Sequence, residues 1–108
     1  MGEVLYDTSS LIEEARSGVK ELKAFTTILN IIEFPKALDM RGLRIIYPTY
    51  DDYKLAVKLS MNLLKRGEPV PAIDLLIAAI AVNNKMTLKT RDRHFESIRR
   101  VESRLKME

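Results

Sequence analysis

Residues 71–95, PAIDLLIAAIAVNNKMTLKTRDRHF, carry two patterns in succession. Residues 72–82 are apolar on every side of a helix and hold one charge, Asp74, which predicts a helix in the middle of a domain rather than on its surface. Residues 86–90 then read as a short strand, followed by Arg91, Asp92 and Arg93 and a short helix from about Phe95.

Outward from this helix–strand unit the alternation repeats. Residues 4–6 form a short apolar strand. Ser10 and Glu13 match the S-x-x-E capping box of a helix that Gly18 closes, which leaves Asp7 little capping work. Residues 24–26 make a second strand, Thr27 caps the apolar helix ILNIIEF, and Pro35 ends or kinks it by removing a backbone donor. Residues 44–47 make a third strand. Thr49 then caps a helix with Asp51 and Asp52 in its first turn, running to Arg66 before Gly67. This helix shows a wider apolar surface than one core-facing stripe requires, which reads as deep burial or as a dimer interface. The closing RRVESRLKME has no clear final strand. Strands alternating with helices predict an α/β fold.

A length of 108 residues predicts one domain, 1–108, built on one core. With 46% hydrophobic and 31% charged residues, disorder and a fibrous repeat are both excluded. The longest apolar run, residues 75–82, falls far short of the roughly 20 residues that span a bilayer, so no membrane partner is expected. The opening MGEVLYDTSS carries early acids and no basic stretch leading into an apolar one, which predicts a cytoplasmic protein without a secretory signal. Tyr6 stands where a myristoylation motif wants Ser or Thr. The absence of cysteine excludes disulfides and thiol catalysis, and a single histidine excludes a multi-histidine site, so any metal is expected to be held by oxygen. The net charge of +3 is uneven: residues 85–108 hold eight Lys or Arg against four acids. That section suits a polyanionic partner or a solvated helix face equally.

The scattered glycines at 2, 18, 42 and 67 form neither a dinucleotide fingerprint nor a phosphate loop. No G-x-S-x-G elbow accompanies His94, which beside Arg93 reads as solvated or facing nucleic acid. A phosphoacceptor domain with Thr87 or Lys89 as switch residues lacks its acceptor aspartate after the third strand, where PTYDD starts a helix. Asp7, Glu33, Asp74 and Asp92 are different, because each lies in or against apolar sequence where a charge is costly. Asp7 ends the first strand, at the edge where open α/β sheets gather ligands. Asp92 sits equivalently after the fourth strand, with a helix cap or Asx turn as its alternative. Glu33 shares a helical face with Asn30 and Lys36, which also allows a solvated acid with a weak ion pair to Lys36. Asp74 falls near a helix N-terminus among Leu75, Leu76 and Ile77. Four converging carboxylates would raise one another's pKa unless a divalent cation neutralised them, and such a set suits Mg²⁺ or Mn²⁺.

VLYDTSSLI, ILNIIEF and above all PAIDLLIAAIAVNNKMTLKTRDRHF resemble the PIN-domain ribonucleases, particularly the small VapC-type toxins of toxin–antitoxin pairs. The resemblance spans residues 4–96. It implies a PIN-like three-layer α/β domain whose central parallel sheet is flanked by helices, and magnesium-dependent endoribonuclease hydrolysis of RNA phosphodiesters in an acidic pocket. Asp7, Glu33, Asp74 and Asp92 match the family's acidic quartet. Asp7 and Asp74 would be the primary metal ligands, with Glu33 and Asp92 completing the pocket directly or through water, and Thr8 and Thr90 match supporting positions. An antitoxin protein and a homodimer are the implied partners. The chain departs from the pattern in its short connections before Ala24 and between Glu33 and Arg44. Arg91, Arg93 and Lys89 are the expected holders of the RNA backbone, while Arg99, Arg100 and Arg104 read as solvated. The rival reading is a noncatalytic RNA-binding or partner-binding module.

Overall fold

In chain order, the computed structural model, which describes residues 2–108, contains β1 (Val4–Tyr6), α1 (Thr8–Arg16), β2 (Phe25–Thr27), α2 (Ile28–Glu33), a 3₁₀ turn (Pro35–Asp39), β3 (Arg44–Ile46), α3 (Tyr50–Lys65), α4 (Ala72–Asn83), β4 (Thr87–Lys89), α5 (His94–Val101) and β5 (Lys106–Met107). The strands form one all-parallel sheet in the order β3-β2-β1-β4-β5. Leu5 pairs with Phe25 on one side and Leu88 on the other, and Tyr6 pairs with Lys89. The chain thus builds outward from β1 to β3, then returns to the other side of β1. Consistently handed crossovers place the helices of the two directions on opposite faces.

Side chains alternate across each strand, so each face of the sheet takes its own core. Leu5 and Leu88 enter a core with Leu59 and Leu63 of α3, Leu75 to Ala78 and Ile80 to Val82 of α4, and Phe95 and Ile98 of α5. Tyr6 and Ile45 enter a second core with Leu11 of α1, Ile31 of α2 and Ala37 of the 3₁₀ turn. The expected central helix is α4: Leu75 to Val82 are all buried, and Ala78, Ala79 and Ala81 are fully so, which lets neighbouring elements pack close to its backbone.

Several local expectations are corrected. The first helix opens at Thr8, directly after the strand, so its unpaired N–H groups lie beside Asp7 rather than Ser10. Asp7 is the N-cap and accepts from the Ser10 backbone N–H at 3.0 Å. Ser10 is instead buried inside the first turn, its hydroxyl without a partner among the described residues. Strand β2 begins at Phe25 rather than Ala24. A fifth strand, β5, exists where none was expected, paired along β4 with Thr87 beside Lys106.

Helix α3 ends as its sequence indicates. Gly67 takes a left-handed φ of 70°, and the Glu68 and Gly67 N–H groups return to the Leu63 and Leu64 carbonyls. At its start, buried Asp52 accepts from the Thr49 N–H and hydroxyl at 2.8 and 3.1 Å and from Asn83 Nδ2 at 2.8 Å, joining α3 to the end of α4. Deep burial of all of α3 is excluded: Tyr50, Tyr53, Val57, Met61 and Leu64 form one exposed stripe, with Tyr50 76% and Val57 59% accessible. No helix among the described residues is long and apolar enough to cross a membrane.

Candidate acidic active site

The four acids converge. A cleft of about 300 Å³ is lined by Asp7, Thr8, Ser9, Ile12, Asn30, Glu33, Asp74, Ile77 and Asp92. It opens at the carboxyl ends of β1 and β4, the strands on either side of the point where the winding reverses, where doubly wound sheets leave a crevice.

Asp7 is buried, and both of its oxygens are engaged. Oδ1 accepts from Ser9 Oγ at 2.7 Å as well as from the Ser10 N–H, and Oδ2 accepts from Thr90 Oγ1. Capping and lining the cleft are thus compatible duties of one carboxylate. Ser9 Oγ in turn accepts from the Arg91 N–H at 3.0 Å, and Thr90 Oγ1 accepts from the Asp92 N–H at 2.9 Å, so the loops after β1 and β4 are laced together through hydroxyls.

Glu33, at the last position of α2, takes a 2.6 Å hydrogen bond from Thr8 Oγ1. Thr8 accepts from Asn30 Nδ2 at 3.0 Å, and Asn30 Oδ1 accepts from Thr27 Oγ1 at 2.7 Å. Asn30 is fully buried rather than part of a solvated face, and it sets the Thr8–Glu33 pair against the cap of α2. The expected Glu33–Lys36 ion pair is not among those formed by the described residues, because Pro35 starts a new 3₁₀ turn and ends the helical spacing.

Asp74 lies in the first turn of α4, where the helix N-terminus favours an anion. Its Oδ2 is 2.9 Å from His94 Nδ1, and that nitrogen is 3.3 Å from Asp92 Oδ1. Asp92 Oδ1 also accepts from the His94 N–H at 2.9 Å, so the Asx turn considered for Asp92 is formed and points its carboxylate into the cleft. One ligand atom from each of Asp74, Asp92 and His94 lies within 4.8 Å of the others; this tight group does not include Asp7 or Glu33. Burial pushes the Asp74 carboxyl above its ordinary range; the His94 hydrogen bond opposes this, and the negative Asp92 and Glu33 add to it. The Asp74 hydrogen bond and then the charge of Asp92 raise the His94 pKa.

His94 is the residue that sequence reasoning missed in this role. Its partner Asp74 lies 20 positions away, beyond any local pattern. The available signal was Asp92 two residues earlier, whose turn folds the chain back at His94. Of the expected RNA-contacting cations, Lys89 lies over the Tyr6 ring and 3.9 Å from Glu108, and Arg91 is held by Glu13 at 2.9 Å. Arg93 is exposed and forms no ion pair among the described residues.

No model of a known protein family matches the sequence, and no curated protein matches it. Solved structures do. A chain of VapBC2 from Rickettsia felis bound to a promoter DNA fragment superposes with a TM-score of 0.79 at 18% identity, over 97% of this chain and 96% of that one. A chain of DNA-bound VapBC from Salmonella typhimurium gives 0.77 at 16% identity, over 100% and 98%. One of VapBC-1 from nontypeable Haemophilus influenzae gives 0.75 at 18%, over 97% and 96%. The likeness is one of fold, and it bears out the PIN-like architecture of a parallel sheet between helical layers.

Proposed function

We propose that this chain is a metal-dependent endoribonuclease and the toxin of a toxin–antitoxin pair, with RNA as its substrate and an antitoxin protein as its inhibitor. One observation carries the reading: Asp7, Glu33, Asp74 and Asp92, from four separate elements or loops, meet in one cleft at the reversal point of a PIN-like sheet. The likeness to chains of VapBC complexes supports the same assignment.

The donor set fits a small divalent cation, because hard carboxylate oxygens suit Mg²⁺ or Mn²⁺ and the cleft leaves room for water. Asp7 and Asp74 would hold it, with Glu33 and Asp92 completing the shell directly or through water. When bound, such an ion acidifies water and offsets charge on a phosphodiester. The chain's own residues position the site. Ser9 and Thr90 fix the Asp7 carboxylate, Thr8 and Asn30 fix Glu33, and Ile12 and Ile77 form apolar walls that strengthen the field of the acids. Arg93 is free to meet the RNA backbone; Arg91 and Lys89 would first have to leave Glu13 and Glu108.

The test is cleavage of a mixed pool of structured and single-stranded RNAs by rigorously purified protein with Mg²⁺, Mn²⁺ or EDTA, beside Asp7→Asn and Asp74→Asn. The expected result is cleavage that needs the metal and falls to background in both variants. A folded parent that binds RNA or a partner but cuts nothing overturns the enzyme reading in favour of a noncatalytic module.

We also propose that a second copy covers the α3 stripe. An antiparallel pairing about a two-fold axis would oppose the α3 dipoles.

A further inference from the structure

His94 occupies a position that the acids alone do not explain. It opens α5, is half exposed, and contributes nothing to either core, yet its ring nitrogen Nδ1 lies against two of the acids that line the cleft. There it lies 2.9 Å from Asp74 Oδ2 and 3.3 Å from Asp92 Oδ1. Adjacent ligands on a six-coordinate ion with bonds of about 2.1 Å are about 3 Å apart, so the two separations from Nδ1 match those of neighbouring ligands around one small cation, and all three ligand atoms lie within 4.8 Å of one another. Without metal, Nδ1 is hydrogen-bonded to Asp74 Oδ2 and lies close to Asp92 Oδ1. Without a proton on it, the nitrogen is a donor atom beside two carboxylate oxygens, all three within 4.8 Å of one another.

We propose that His94 Nδ1 is a metal ligand beside Asp74 and Asp92, and that this nitrogen makes the site select Mn²⁺ over Mg²⁺. The inference rests on the metal-site reading of the cleft above. Its chemistry is that of donor softness: an imidazole nitrogen binds transition-series divalent ions well, whereas Mg²⁺ favours oxygen and gives up water reluctantly. A site of four carboxylates would distinguish the two ions weakly. Replacing one water or carboxylate in the shell with nitrogen gives the difference a cause. The expectation from sequence of a metal held by oxygen alone is replaced by a mixed set, supplied by the single histidine the chain possesses.

That same uniqueness makes the test clean, because any imidazole bound to the ion must be His94. The full chain, without a polyhistidine tag, is titrated with Mn²⁺ alone and in competition with Mg²⁺. The Mn²⁺-loaded protein is then examined by pulsed electron paramagnetic resonance for directly coordinated ¹⁴N. Parent, His94→Gln and Asp74→Asn are compared after their melting curves establish that each is folded. The expected result is a nitrogen coupling in the parent that vanishes in His94→Gln. The same variant should lose Mn²⁺ affinity at least as strongly as when an outer-sphere partner is lost, about 10–100-fold, with Mg²⁺ affinity unchanged. Mn²⁺ bound with no nitrogen coupling, or equal loss of both ions in His94→Gln, overturns the role of His94 and leaves the acidic metal site standing. Failure of the parent to bind Mn²⁺, or binding that Asp74→Asn does not alter, overturns the metal-site reading itself and this inference with it.

Discussion

At the scale of single residues, His94 links the cleft to pH. In the metal-free protein, Asp74 and Asp92 make the folded chain hold the His94 proton more tightly than an unfolded chain, whose histidine titrates near 6.5. The stabilisation is therefore fully present below pH 6.5 and is lost as pH rises through the raised folded value. Melting temperatures measured in EDTA across that window should fall with pH in the parent and fall less in His94→Gln; equal slopes would show that the contact contributes nothing. Asn30 acts through another residue. Because it is buried and bonded to both Thr27 and Thr8, Asn30→Ala should cost about 1–3 kcal/mol in urea unfolding by leaving those partners unsatisfied. Among the residues of the cleft, the acids were legible because a charge in apolar sequence asks for a reason. Asn30, Ser9 and His94 were not, because their meaning lies in partners 22, 82 and 20 positions away.

At the scale of elements, legibility followed length and pattern. Helix α4 announces itself through an apolar surface on every side, and Leu75 to Val82 are buried accordingly. Its alanines are the test of that packing: Ala79→Leu inserts a large side chain where no space is left and should destabilise by about 1–3 kcal/mol, read as a lower urea midpoint with an unchanged slope. Strand β5 was invisible because two residues cannot display a period; its identity comes from pairing with β4, which no local signal carries. The start of α1 was misread for a related reason. S-x-x-E is a genuine capping pattern, but Asp7 is nearer to the first free N–H groups once β1 ends at Tyr6. For α3, sequence shows how much apolar surface there is, and only the fold shows that Leu59 and Leu63 take the inner side, leaving Val57 and Met61 outside.

At the scale of the whole molecule, the outer side of α3 predicts association. Light scattering should give a dimer for the parent and a folded monomer for Val57→Glu combined with Met61→Glu; a parent that stays monomeric at high concentration removes the second copy from the proposal. The order of the sheet has a temporal consequence. β1 is synthesised before the other strands of the sheet and lies in its middle, and its neighbour β4 is made only after all of α3 and α4. A nascent chain that has not yet reached Thr90 already carries Asp7 and Glu33, but it lacks one of the two hydroxyls that hold Asp7, the acid at Asp92 and the imidazole at His94. On the proposed function, activity therefore waits for translation: the cleft is complete only once residues 87–94 have been made and β4 has paired with β1.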